Sequence, residues 1–232
     1  MLLKAIPALS DNYIWCYSRD NQHALIVDPS EAEVVEDFLQ QHQLKIEAIL
    51  ITHNHSDHTS GVAELRKYYP FAPIYAPAEV GNLATHIVSA GMQHTPYYSI
   101  RILETGGHTA GHLSYLVDNY LFCGDTLFSL GCGRVFTGDY QQMFASLQKI
   151  KQLPDDTIIC AAHEYTLSNL RFAQTVENSD ALQDYAQQIE KLRKEQKPTL
   201  PTTLALEKAL NPFLRCKNVE EFIALREAKD KF

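Results

Sequence analysis

The chain has 232 residues, of which 45% are hydrophobic and 21% charged, proportions of a folded globular chain that exclude a mainly disordered one. Its net charge of −8 disfavours nucleic acid as a partner, and no apolar run approaches the roughly 20 residues of a bilayer span. The five cysteines are irregularly spaced and odd in number, the start has no basic stretch with a cleavage site, and a reducing cytoplasm is the expected setting. In chain order, residues 2–5, 13–17 and 24–27 read as strands, with Arg19-Asp20-Asn21-Gln22 turning between the last two. Ser30 is placed to cap a helix over 31–42. An Ile-rich strand spans 46–51 and ends abruptly at Thr52. A helix from 60 or 61 to 68 stops before Pro70. Further strands are expected at 100–104, 113–117 and 120–123, the last two joined at Asn119. A helix over 140–151 and a strand over 157–160 complete this part. After residue 165 the pattern is helical: 167–177, 181–196, 204–210 and 219–229, interrupted by Pro198 and Pro201. The spacing thus predicts a layered α/β domain, residues 1–165, and a small helical domain, residues 166–232.

The chemistry lies in Thr52-His53-Asn54-His55-Ser56-Asp57-His58. Four metal-ligand types follow a buried strand, where open α/β sheets place their ligands. On a helix His53 and His55 would stand about 200° apart, but in a loop they converge. Asp57 and His58 then suit a second ion. His108 follows two glycines in Gly106-Gly107-His108, Asp125 follows the strand over 120–123, and His163 follows that over 157–160. Each alone is an ordinary loop residue; the recurrence at strand ends makes the site. His53, His55 and His108 can hold one ion, Asp57, His58 and His163 another, and Asp125 can bridge them. Imidazole and carboxylate ligands suit zinc first, with iron or manganese as alternatives.

The Thr-His-x-His-x-Asp-His segment, Gly107-His108-Thr109, Cys123-Gly124-Asp125 and the late His163 resemble the metallo-β-lactamase superfamily. Asp125-Thr126-Leu127-Phe128, Gly131-Cys132-Gly133-Arg134, Ala162-His163-Glu164-Tyr165-Thr166, Asn211-Pro212-Phe213-Leu214-Arg215 and Leu225-Arg226-Glu227-Ala228-Lys229-Asp230 resemble its glyoxalase II family, nearly from end to end. The resemblance implies an αββα sandwich with a small C-terminal helical domain and two divalent metal ions per chain. It implies hydrolysis of S-D-lactoylglutathione to D-lactate and glutathione by a hydroxide bridging the metals, with Asp57 and Asp125 as the catalytic carboxylates. Arg134, Tyr165, Arg226 and Lys229 match positions that bind glutathione in that family. Phe136 stands where the family has a second tyrosine. His112 is expected either to orient a ligand or to bond within its strand pair, and Cys123 to be a buried free thiol. The alternative is a glutathione persulfide dioxygenase of the same superfamily. A monomer with no membrane partner is expected.

Overall fold

The computed structural model describes residues 1–232. The first half builds one sheet and its helices: β1 (Leu2–Ala8), β2 (Asn12–Ser18), β3 (His23–Val27), α1 (Ala32–His42), β4 (Lys45–Leu50), α2 (Ser56–Thr59), α3 (Val62–Tyr68), β5 (Ile74–Ala76) and β6 (His86–Ile87). The sheet runs β1-β2-β3-β4-β5-β6. Its first three strands are antiparallel neighbours, and the later pairs are parallel. The second sheet uses β7 (Gly91–His94), β8 (Ser99–Glu104), β9 (Leu113–Val117) and β10 (Tyr120–Gly124). A two-stranded ribbon follows, β11 (Leu127–Phe128) and β12 (Gly131–Cys132), then α4 (Tyr140–Lys151) and β13 (Ile158–Ala161). The C-terminal part holds α5 (Thr166–Val176), α6 (Asp180–Lys194), β14 (Thr202–Thr203), α7 (Leu204–Leu210), α8 (Pro212–Arg215) and α9 (Val219–Lys231). The second sheet runs β14-β13-β10-β9-β8-β7.

Side chains alternate across a strand, and this puts the two faces of the first sheet in different cores. Trp15, Tyr17, Leu25, Val27 and Leu50 join Tyr115, Val117 and Phe122 in the larger apolar cluster between the sheets. Ile14, Cys16, Ile26 and Ile49 face outward onto Val35 and Leu39 of α1 and Val62 and Leu65 of α3. A strand covered on both faces reads as a near-continuous apolar run, as residues 13–17 do within the wholly buried β2. The result is a helix–sheet–sheet–helix layering. The C-terminal helices share the larger core through Phe172, Leu204, Phe213 and Phe222. No helix is long and apolar enough to cross a membrane.

Three expectations need adjustment. Ser30 does not cap α1: the N-cap is Glu31, with no side-chain cap bond, and Ser30 Oγ is buried without a partner. Glu31 instead accepts from the Leu9 N–H at 2.6 Å. The helix expected from residue 60 is α3, preceded by the separate single turn α2. The short strands β5, β6, β7, β11, β12 and β14 carry too few residues for periodicity to reveal.

Candidate active site

The strand ends converge at one edge of the sandwich. Tyr13 N–H donates to the Ala162 carbonyl at 2.6 Å, Glu164 N–H to Asp11 at 2.8 Å, and Leu113 N–H to Thr52 at 2.8 Å. These bonds bring the start of β2, the loop after β4, the start of β9 and the end of β13 together. His53 and His55 lie in extended chain after β4, while Asp57 and His58 occupy the single turn α2.

All seven expected donors meet there. Donor atoms cluster within 4.8 Å as His53, His55, His108, as His53, His58, Asp125, and as Asp57, His58, His163. Asp125 faces both outer groups. Its Oδ2 lies 3.4 Å from His108 Nε2, and its Oδ1 lies 3.4 Å from His58 Nε2 and 3.3 Å from His163 Nε2. Asp57 Oδ2 is 3.4 Å from His163 Nε2 and 3.5 Å from His58 Nε2. Buried polar atoms are ordinarily hydrogen-bonded, yet His53 Nε2, His58 Nε2 and Asp125 Oδ1 are buried with no hydrogen-bond partner. Three unpartnered donor-type atoms in one cluster are what a divalent cation would satisfy, so the residues fit a metal.

The opposite edge of four of the five imidazoles is held. His53 Nδ1 meets Thr52 Oγ1 at 3.0 Å, and that hydroxyl donates to Asp28 Oδ2 at 2.7 Å. His58 Nδ1 lies 3.0 Å from Asp28 Oδ2, His163 Nδ1 2.9 Å from Asp11 Oδ1, and His108 Nδ1 2.8 Å from the Arg134 carbonyl. A proton on Nδ1 leaves the Nε2 lone pair for a metal, and these outer partners set that tautomer. Asn12 Nδ2 donates to Asp57 Oδ2 at 3.1 Å. Asp11, Asn12 and Asp28 were not singled out from sequence. Their signal was the same strand-end placement: Asp11 and Asn12 enter β2 and Asp28 leaves β3.

His112 is one of the orienting residues. Its Nε2 accepts the Asp125 backbone N–H at 3.1 Å, and its Nδ1 lies near Thr105 and Thr126 hydroxyls. Complete burial pushes it well below the usual histidine range, so it stays a neutral acceptor. Cys123 is buried and free, its Sγ bonded to the Leu127 carbonyl at 3.2 Å. The loop bearing His108 is pinned from outside by Glu79, which accepts from Thr109 Oγ1 at 2.6 Å and Gly111 N–H at 2.7 Å.

The electrostatics bind the cluster as one unit. Burial would depress His58, but Asp125, Asp28 and Asp57 outweigh it and hold the imidazole up at about 9. Burial alone would raise Asp125; His58 and His163 instead hold it well below the usual carboxylate range. Burial pushes His53 and His108 down. Without metal, His58 therefore carries a proton at neutral pH that a cation must displace. Below about 9 metal affinity falls as pH falls, by about tenfold per unit for one displaced proton. Calorimetry of zinc binding at pH 7, in buffers of different ionisation enthalpy, is expected to show proton release; release of none would contradict the His58 assignment.

Gly133 is required by close approach. A Cβ there would overlap the Asp125 carbonyl oxygen and come within 3.0 Å of His108 Nδ1. Gly133→Ala must displace both donors, and loss of about 10- to 100-fold in metal affinity is expected by chelator competition. Unchanged affinity would mean that the loop relaxes without moving them.

A cleft of 510 Å³ opens onto the donors. His55, Asp57, His108, Asp125 and His163 line it together with Arg134, Arg226 and Lys229. Tyr165 stacks on His163, 4.6 Å between centroids and 5° between planes. Phe136 stands edge-on to His55 and His108. Arg226 is 5% exposed and already engaged. Its Nη1 donates to the Cys132 carbonyl and its Nη2 to Asp230, each at 2.9 Å. Lys229 Nζ donates to the Ser168 carbonyl at 3.2 Å.

Two family models divide the chain. The metallo-beta-lactamase superfamily matches residues 12–101 and 98–163, and the hydroxyacylglutathione hydrolase C-terminus matches 164–232. A hydroxyacylglutathione hydrolase of Glaesserella parasuis is 53% identical over 230 residues, covering 98% of this chain and 97% of that one. The chain belongs to the hydroxyacylglutathione hydrolase family. A second relative of that name, from Haemophilus ducreyi, is 48% identical over 233 residues, with 99% of each chain covered. Among solved structures, ETHE1 from Myxococcus xanthus superposes with a TM-score of 0.73 at 25% identity, over 98% of this chain and 90% of that one. Membership confirms the expected sandwich and the resemblance carried by the motifs. The superfamily and the donor clusters together support divalent metal binding.

Proposed function

We propose that the chain hydrolyses S-2-hydroxyacylglutathione thioesters, S-D-lactoylglutathione first among them, to the hydroxy acid and glutathione. The observation that carries this reading is a single cleft joining a dinuclear-type donor set to three cationic side chains. His53, His55 and His108 would hold one ion, Asp57, His58 and His163 a second, and Asp125 would bridge them through its two oxygens. When bound, such ions supply Lewis-acid polarisation of a carbonyl and bring a water's pKa towards neutrality. Zinc is the first choice, with iron or manganese accepted by the same donors.

The chain's own residues supply orientation and binding. Asn12 holds Asp57 at the mouth of the cleft, where its carboxylate orients more than it abstracts. Phe128, Phe136 and Tyr165 line the cleft beside the donors and keep bulk water from a thioester carbonyl placed there. Glutathione carries two carboxylates, so an acidic chain needs a local cationic surface; Arg134, Arg226 and Lys229 provide it. A thiolate leaves more readily than an amine, which removes the need for a dedicated acid. Phe136 offers no hydroxyl to the substrate, and its ring packs beside His55 and His108 instead. We read residues 1–165 as the catalytic part and 166–232 as the substrate-binding part, a division supported by the family matches meeting at 163 and 164. The cysteines are free and buried, as a reducing cytoplasm would keep them, and we take the working form to be a monomer. Against a persulfide dioxygenase stands the match of residues 164–232 to the hydrolase C-terminus.

The test is thiol release from S-D-lactoylglutathione by purified protein, before and after chelation, with metal counted per chain. Release that chelation stops and zinc restores, at about two ions per chain, is expected. No release by folded, metal-loaded protein would overturn the reading.

A further inference from the structure

One carboxylate, Asp230, stands behind two of the cationic side chains that line the cleft, Arg134 and Arg226. Asp230 Oδ1 accepts from Arg226 Nη2 at 2.9 Å and lies 3.4 Å from Arg134 Nε. One oxygen thus gathers two guanidiniums from elements 96 and four residues earlier in the chain. Arg226 is fixed on α9, buried over the Phe213 ring with its centre 5.2 Å from the centroid. Its Nε is buried without a partner. Arg134 is different: its side chain is 59% exposed, and besides Asp230 its guanidinium meets the Phe136 ring, 5.9 Å from its centroid.

We infer that Asp230 is a positioning residue that assembles the anion-binding end of the cleft by holding Arg134 beside Arg226. The inference rests on the glutathione-thioester reading above. Two guanidiniums and an ammonium repel one another, and a buried guanidinium without a counter-charge is costly. Asp230 and Arg226 are spaced i, i+4 on one helix, so the carboxylate is held in place and serves as a fixed template for the exposed Arg134. Burial and then Arg226 pull Lys229 below the usual lysine range, and Asp230 is the charge that opposes them. Removing Asp230 frees Arg134 to leave the cleft, strips Arg226 of its counter-charge and weakens the proton on Lys229. All three changes reduce the affinity for a substrate carboxylate. They act on side chains and leave the Arg134 backbone carbonyl, the partner of His108 Nδ1, in place.

The experiment compares metal-loaded wild type with Asp230→Asn, Asp230→Ala and Asp230→Glu. The substrates are S-D-lactoylglutathione and its analogue with the glycine carboxylate converted to an amide. Asp230→Asn and Asp230→Ala are expected to raise KM for the acid about five- to tenfold with kcat held within about twofold. KM for the amide is expected to stay put, and Asp230→Glu to restore most of the loss. Calorimetry of glutathione binding to the same proteins is expected to weaken in parallel. A lowered melting temperature with KM unmoved for both substrates would make the role merely structural and overturn the inference. A lower KM in Asp230→Asn would also overturn it, because Asp230 would then compete with the substrate. If wild type hydrolyses neither thioester the functional reading fails instead, and the glutathione affinities still decide the role of Asp230.

Discussion

Asp125→Ala yields a folded protein whose thioesterase activity falls at least about a thousandfold and whose metal content drops below that of the parent. The argument is geometric. Asp125 is the one residue whose two oxygens address different donor groups, Oδ2 towards His108 and Oδ1 towards His58 and His163. No other carboxylate in the cluster can replace it, because Asp57 reaches only His58 and His163. Its backbone is fixed independently by His112, so removing the side chain leaves the loop in place. The variant also removes the largest charge favouring a protonated His58, which offsets part of the lost counter-charge in the metal-free protein. Activity, metal count and melting temperature measured on one preparation separate these effects. Near-normal turnover with both ions retained would remove Asp125 from the bridging position and with it the dinuclear reading.

The donor set was legible because every donor follows an apolar strand, and strand ends at one edge of a sandwich must come together. That rule needs only local pattern, and it found residues as far apart as His53 and His163. The long helices and the central strands were legible for the same reason. The orienting residues were not, although they share the strand-end placement: Asp11 and Asp28 act through hydrogen bonds to partners 152 and 30 residues away, and placement alone does not separate an aspartate from a turn former. Strands β5, β6 and β7 lie in a stretch where short, partly exposed segments have no periodicity to read. Arg226 and Lys229 were correctly expected to share a helix, but the burial of Arg226 against Phe213 and Cys132 depends on packing between α9 and the β11–β12 ribbon. Only the three-dimensional structure shows that contact.

That ribbon depends on a second buried carboxylate, and here the largest effect on stability is expected. Glu207 of α7 is completely buried and accepts the Leu130 N–H at 2.9 Å and Asn211 Nδ2 at 3.0 Å, both on Oε2. Leu130 holds a φ of 57° at the ribbon's tip, a left-handed conformation unusual for a branched side chain, so its N–H has no ladder partner and turns to Glu207. Asn211 donates also to the Phe128 and Gly131 carbonyls. The pair thus clamps the ribbon that leads into Arg134. Burial pushes Glu207 up to about 7, although the Leu130 N–H and the Asn211 amide both favour its ionised form. Oε1 has no partner, and neither does the nearby buried Thr202 Oγ1. A raised carboxyl retains its proton in the folded state after the unfolded chain has lost it. Its stabilising contribution is therefore complete below about 4.5 and is lost as pH rises to about 7. The loss amounts to about 3 kcal/mol. Glu207→Gln keeps an oxygen for Leu130 and Asn211 and has no proton to lose. Denaturation of both proteins at pH 5 and pH 8 is expected to show Glu207→Gln gaining on wild type by about 3 kcal/mol between the two. A difference that stays constant across that range would mean that Glu207 is ionised throughout, with its charge satisfied inside the fold.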